Sequence, residues 1–227
     1  AGGSYYIENL TQSIAAEAWK LFLELEEKGG YVAAFESGYV VERVDASAAA
    51  KDKSVAQRRI TLLGANQYPN FTEVASDAVT EAAVTRRKKA GVLNPYRGAM
   101  AFEAMRLHVD RSGKPPKAFM LTAGHLCNFF ACAGIRVQDN TFFKDLEEGV
   151  KAALESKAEI VVLCSSDDCY AELAPRVKEM LGDKAILVIA GAPACMAELE
   201  AQGIGNFIHV KSNVLDTLHN YLTQMGI

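Results

Sequence analysis

Four short apolar runs in the second half of the chain, each giving way to small or polar residues, limit the fold more than any other feature. They occupy residues 118–122, 159–164, 185–190 and 206–210. The last three end in Ser165-Ser166-Asp167-Asp168, Gly191-Ala192-Pro193 and Lys211-Ser212-Asn213. Runs apolar at every position, not at alternate ones, are what a parallel sheet covered on both faces requires. Helical patterns separate them. Lys144 to Leu154 keeps Leu146, Val150 and Leu154 four apart, Tyr170 to Leu181 places Leu173, Val177 and Met180 on one face, and Val214 to Met225 does so with Leu215, Leu218 and Leu222. Each spacing predicts a helix with one apolar face. The alternation means βαβ units. Residues 116–227 are therefore expected to form an α/β, doubly wound, flavodoxin-like sheet of five parallel strands in the order 2-1-3-4-5.

In such a sheet, ligands bind beyond the carboxyl ends of the strands. The loop after the first run, A-G-H-L-C-N at 123–128, carries His125 there. A lone histidine at a strand end serves either as a metal ligand or as a hydrogen-bonded loop residue. Cys127 with Cys132, and Cys164 with Cys169, form two C-x4-C pairs. That spacing lies at the edge of what zinc sites use, and buried free cysteines serve equally as small hydrophobes. Asp167 and Lys211 stand where a phospho-acceptor receiver domain of the same topology keeps its aspartate and lysine. Thr122-Ala123-Gly124, however, supplies no acidic pair for magnesium.

Half of the 227 residues are hydrophobic, so a sizeable core can be buried. A net charge of -4 and a pI near 5.7 give no electrostatic reason to expect nucleic acid or an anionic membrane. No apolar run approaches the roughly 20 residues of a membrane span. Five cysteines, an odd number in a chain this long, suit reduced thiols, and a soluble, cytoplasmic protein is expected.

The first half reads as mainly helical. Asn9 or Thr11 can cap a helix running to about Lys28, with Leu10, Ile14, Ala18, Leu21, Phe22 and Leu25 on one face and Gly29-Gly30 as its stop. A second helical region extends from Gly38 to Arg59. Ile60 to Leu63 reads as a short strand, closed by Gly64-Ala65-Asn66 and Pro69. Asn70 to Asn94 has little periodicity and carries Arg86-Arg87-Lys88-Lys89 behind Glu73, Asp77 and Glu81. With no interleaved aromatics, this reads as a solvated linker and not an anion patch. Pro95 opens a helix to about Val109. The organisation expected is thus 1–69 helical, 70–115 a linker with a helix, and 116–227 the sheet domain.

The opening A-G-G-S-Y-Y-I-E, the segment G-G-Y-V-A-A-F-E-S-G at Gly29 to Gly38 and the turn L-L-G-A-N-Q-Y-P-N at Leu62 to Asn70 resemble the end of the large domain of the methylmalonyl-CoA mutase family. The carboxyl-terminal half resembles that family's cobalamin-binding domain. The resemblance implies a carboxyl-terminal piece of a longer subunit, following a (β/α)8 barrel that holds the acyl-CoA substrate. It also implies a D-x-H-x-x-G motif whose histidine ligates cobalt, an S-x-L after the third strand and a G-G after the fourth. Of these the chain keeps His125, Ser165 with Ser166, and Gly191, so these four are the cofactor-binding positions and His125 the cobalt ligand if cobalamin binds. Asn128, Asp167 and Ala190 depart from the pattern. A lost aspartate partner typically costs a metal-ligating histidine roughly 10 to 100-fold in affinity. Side chains in place of bare glycine crowd a bulky ligand. The pattern resembles the small subunits of bacterial heterodimers in the family. This implies a non-catalytic, structural chain, itself without cofactor, beside a large catalytic partner that carries adenosylcobalamin. The alternative implied is a cobalamin-binding fragment that uses His125.

Overall fold

The computed structural model describes residues 2–85, 91–121, 127–139, 143 and 145–227, which divide into two compact units. His125 and the basic cluster at 86–89 lie outside the described residues.

The first unit comprises residues 1–50 and 87–95. It holds α1 (Tyr5–Glu27), α2 (Gly30–Glu36) and the start of α3 (Tyr39–Ala56). α1 begins earlier than its sequence caps predict, because Thr11 Oγ1 donates back to the Ile7 carbonyl at 2.8 Å inside the helix and caps nothing. Gly29 and Gly30 do end it, at φ of 88° and 86°, backbone that only glycine adopts without strain. Tyr39 Oη donates to Glu24 Oε2 at 2.6 Å, with the Lys28 ammonium 4.3 Å from the Tyr39 ring centre. No residue of α1 is buried, and its stacked Trp19 and Phe22 rings stand 59% and 46% exposed.

The second unit contains residues 51–86 and 96–227. Here α4 (Ala75–Ala78) and α5 (Glu81–Val84) pack on α6 (Met100–Arg111), followed by β1 (Lys117–Leu121), α7 (Cys127–Ala131), β2 (Arg136–Gln138), α8 (Leu146–Ser156), β3 (Ile160–Leu163), α9 (Tyr170–Leu181), β4 (Ile186–Ile189), α10 (Met196–Ala201) and α11 (Val214–Gln224). The sheet is parallel, in the order β2-β1-β3-β4. Both parities of β1, β3 and β4 are buried. Ala118, Met120, Ile160, Val162 and Val188 face a cluster with Phe102, Phe130 and Leu218, while Phe119, Leu121, Val161, Leu163 and Leu187 face Val150, Ala174 and Val177 on the other side. At roughly 1.5–3 kcal/mol for each fully buried Val, Leu or Ile, the four fully buried residues of β3 contribute about 6–12 kcal/mol, the size of a whole domain's net stability.

The fifth apolar run lies in the expected place beside β4, but as a single parallel bridge, Ile189 to Phe207, and not as an extended strand. It stops where the His209 N–H turns to Ser212 Oγ at 2.9 Å, a side-chain acceptor that competes with the ladder. β2, by contrast, was invisible as an apolar run. It is three residues long, at the sheet's edge, and its sequence is Arg-Val-Gln.

The strand expected at Ile60 to Leu63 does not form. Asn66, 0% exposed, accepts from the Leu62 N–H at 2.8 Å and donates to the Val55 and Ile60 carbonyls at 2.7 and 2.8 Å. One amide side chain thus satisfies backbone that a strand partner would otherwise pair. The helix expected from Pro95 starts only at Met100, with Arg97 ahead of it ion-paired to Glu103 in its first turn. Arg106 of α6, 7% exposed, donates to the Asn70 and Glu73 carbonyls, each at 3.2 Å, and holds the preceding segment against the helix.

Candidate functional site

The parallel strands direct their carboxyl ends to one edge, where Cys164 to Cys169 follow β3 and Ala190 to Cys195 follow β4. β3 and β4 are in register with Leu163 opposite Ile189, and the last direct rung between them is the Ala190 N–H to the Leu163 carbonyl at 2.9 Å. In a parallel ladder the next rung would join the Ser165 N–H to the Ala190 carbonyl. A side chain stands between them. Tyr170 Oη accepts from the Ser165 N–H at 2.9 Å and donates to the Ala190 carbonyl at 2.8 Å. Tyr170 is the first residue of α9, wholly buried, and burial raises its phenol pKa above the ordinary value.

The same ring decides what Gly191 can touch. A Cβ placed on Gly191 would lie 3.2 Å from Tyr170 Cε2 and 3.3 Å from Asp167 Oδ1. The bare face of this glycine is thus already covered by two side chains of the β3–α9 connection. Ser166 Oγ donates to Cys169 Sγ at 3.1 Å within a 3-10 turn, Asp167–Cys169, so its hydroxyl is engaged locally. Of the four sequence-predicted positions, the structure gathers Ser165 and Gly191 around Tyr170 and turns the Ser166 hydroxyl back into its own loop. A corrin tail reaching the backbone here would meet the Tyr170 ring and the Asp167 carboxylate. These residues do not fit the group.

Among the described residues the cysteines form no disulfide. Cys132 is buried and donates to the Asn128 carbonyl at 2.9 Å, and burial pushes its thiol up to about 11 against the smaller opposing pull of the Arg58 and Arg106 guanidinium groups. Among the described residues no group of three or more His, Cys, Asp or Glu is placed to hold a metal ion. Among the described residues Asp167 and Lys211 form no ion pair with each other. The Lys211 backbone N–H instead donates to His209 Nδ1 at 3.2 Å. A cavity of about 240 Å³, lined by Arg58, Gln67, Phe129, His209 and Ser212, opens near the end of the fifth run, with the Arg58 guanidinium 5.1 Å over the Phe129 ring. Among the described residues no helix is long and apolar enough to cross a membrane.

Sequence reasoning missed Tyr170 as a site residue because an aromatic at a helix start reads as core. The available signal was a tyrosine seven residues past the end of β3, where its polar oxygen needs a partner once buried.

Residues 1–111 match the family described as methylmalonyl-CoA mutase. The whole chain is 52% identical to the methylmalonyl-CoA mutase small subunit of Porphyromonas gingivalis, covering 39% of that protein. It is also 30% identical, again over its whole length, to the methylmalonyl-CoA mutase small subunits of Streptomyces virginiae and Propionibacterium freudenreichii subsp. shermanii, covering 38% and 37% of them. The chain therefore spans about two fifths of the length of these relatives. A crystal structure of a cobalamin-binding protein from Desulfitobacterium hafniense DCB-2 is similar over 86% of this chain and 95% of that one, with 19% identity and a TM-score of 0.39, a likeness too low to argue from.

Proposed function

The chain belongs to the methylmalonyl-CoA mutase family, and on that footing we propose that it is a structural, non-catalytic part of a small subunit. In this reading it associates with a large catalytic subunit that carries adenosylcobalamin and interconverts methylmalonyl-CoA and succinyl-CoA. Residues 1–69 are the end of a barrel domain, 70–115 connect, and 116–227 form a degenerate cobalamin-binding domain. The observation that carries the reading is the engagement of the strand-end groups with one another: Ser165 N–H and Ala190 C=O through Tyr170, and Gly191 under that ring. The Ser165 N–H and the Ala190 carbonyl are thus already taken, and the face of Gly191 is covered by the Tyr170 ring and the Asp167 carboxylate. The exposed apolar side chains of α1, Tyr5 at 88%, Tyr6 at 74% and Trp19 at 59%, support a role in association, since aromatic anchors of this kind are what interfaces bury.

Two measurements test this. Mixing the chain with adenosylcobalamin or hydroxocobalamin should leave the visible spectrum of the cofactor unchanged. A stoichiometric shift abolished in His125→Ala would overturn the reading and establish His125 as a cobalt ligand. In the full-length subunit co-expressed with its large partner, His125→Ala should leave turnover at the wild-type rate, because the chemistry uses the partner's cofactor. A fall of several orders of magnitude, as expected on removing an essential catalytic group, would place a working active site in this chain.

A further inference from the structure

We infer that Tyr170 is a built-in occupant of the crevice between β3 and β4, its phenol oxygen inserted as a rung of the ladder where a ligand or solvent oxygen would otherwise bridge the parting strands. The register Leu163 to Ile189 fixes the geometry: beyond the Ala190 N–H to Leu163 carbonyl rung, the next donor and acceptor are the Ser165 N–H and the Ala190 carbonyl. Both bond the same oxygen, at 2.9 and 2.8 Å. The strands are therefore parted by one oxygen atom, and each backbone group is satisfied without meeting the other. Tyr170 enters from the first turn of α9, and its ring closes over Gly191, leaving no room for a Cβ at van der Waals distance. A side chain at residue 191 would press on the chain's own phenol, whatever the glycine's role toward an external ligand. Open α/β sheets bind ligands beyond the carboxyl ends of their strands, at the switch point that in this order lies between β1 and β3, one strand over from this gap. Here the crevice is held in its occupied form from within.

Removing the occupant should produce a binding site for the molecule it stands for. In the full chain, Tyr170→Ala leaves a ring-sized hollow with an unbridged N–H and C=O at its end. Apolar hollows of this kind take up small aromatics. The probe is p-cresol, the tyrosine side chain as a free molecule, with toluene as the ring without the oxygen. At ten times its dissociation constant, p-cresol should multiply the folding constant of Tyr170→Ala about elevenfold in a denaturant titration, and leave the unaltered chain unchanged. It should bind roughly tenfold more tightly than toluene, since only it restores the two hydrogen bonds. If p-cresol stabilises Tyr170→Ala no more than the unaltered chain, or binds no more tightly than toluene, the oxygen is not the bridging element and the inference falls. Tyr170→Phe, which keeps the ring, guards against an alanine variant that does not fold. Hydrogen exchange of the Ser165 amide should become at least tenfold faster, about one lost hydrogen bond, while the amides inside β3 keep their protection. Unchanged protection at Ser165 would equally overturn the inference. Neither experiment uses cobalamin, so their outcome is separate from the spectral test of the proposed function.

Discussion

Replacing Asn66 measures what a single buried amide contributes to the segment ahead of the sheet. Its side chain is 0% exposed and makes three hydrogen bonds, with the Leu62 N–H and the Val55 and Ile60 carbonyls. Asn66→Ala removes all three, but the consequences differ. The Val55 carbonyl keeps the Arg58 N–H at 3.1 Å, and Ile60, 37% exposed, lies within reach of water. The Leu62 N–H has no such substitute. Taking about 1 kcal/mol for each of the first two bonds and roughly 1–3 kcal/mol for the orphaned amide, the loss should be about 3 to 5 kcal/mol. For a chain of this size that is a fall in midpoint of roughly 6–20 °C. The assay is urea unfolding followed by far-UV circular dichroism, because the single tryptophan, Trp19, sits in the other unit and reports on it alone. Asn66→Asp keeps the acceptor for Leu62 but sets a carboxylate against two carbonyls in a buried site. Its folded-state pKa should be raised above the unfolded value of about 3.9, so stability is fullest below that pH and falls as pH rises towards the folded value. A loss below about 0.5 kcal/mol for Asn66→Ala would refute the reasoning and place the hold on this segment elsewhere.

Cys132, with its thiol pushed up to about 11, should contribute stability that is intact below pH 9 and declines as pH rises from 9 towards 11; an alkaline series of unfolding free energies for wild type and Cys132→Ala checks it. Maleimide at neutral pH should label the exposed Cys169 well before Cys132, as read by mass spectrometry of peptides. Gly149→Ala in α8 would set a Cβ 2.5 Å from Leu121 Cδ1 and 3.2 Å from the Phe143 ring, so overpacking of roughly 1–3 kcal/mol should outweigh the helix-propensity gain of about 1 kcal/mol, giving a net loss in denaturant unfolding. Arg106→Lys loses the planar fork that reaches the Asn70 and Glu73 carbonyls, and limited proteolysis should then cut within residues 70–85 faster than in the wild type.

The architecture was legible in the sequence because its cause is local. A strand buried on both faces must be apolar at every position, so the runs that became β1, β3 and β4 stood out, as did the helices whose apolar residues repeat every three or four. Where burial is partial that signal fades, which is why β2, with its Arg-Val-Gln sequence at the sheet edge, left no trace, and why the fifth run promised more strand than the competing Ser212 hydroxyl allows. Ile60 to Leu63 looked like a strand for the same local reason, but its backbone partner is a side chain four residues away from Leu62. The candidate site divides along the same line. The family resemblance marked Ser165, Ser166 and Gly191, and the apolar runs placed them at strand ends. Only the tertiary structure decided what they contact. The β3–β4 register and the entry angle of α9 bring the Tyr170 oxygen between Ser165 and Ala190 and its ring onto Gly191. A hydrogen bond of 2.8 Å between residues 20 apart depends on the relative placement of two strands and a helix, which no periodicity in the chain encodes.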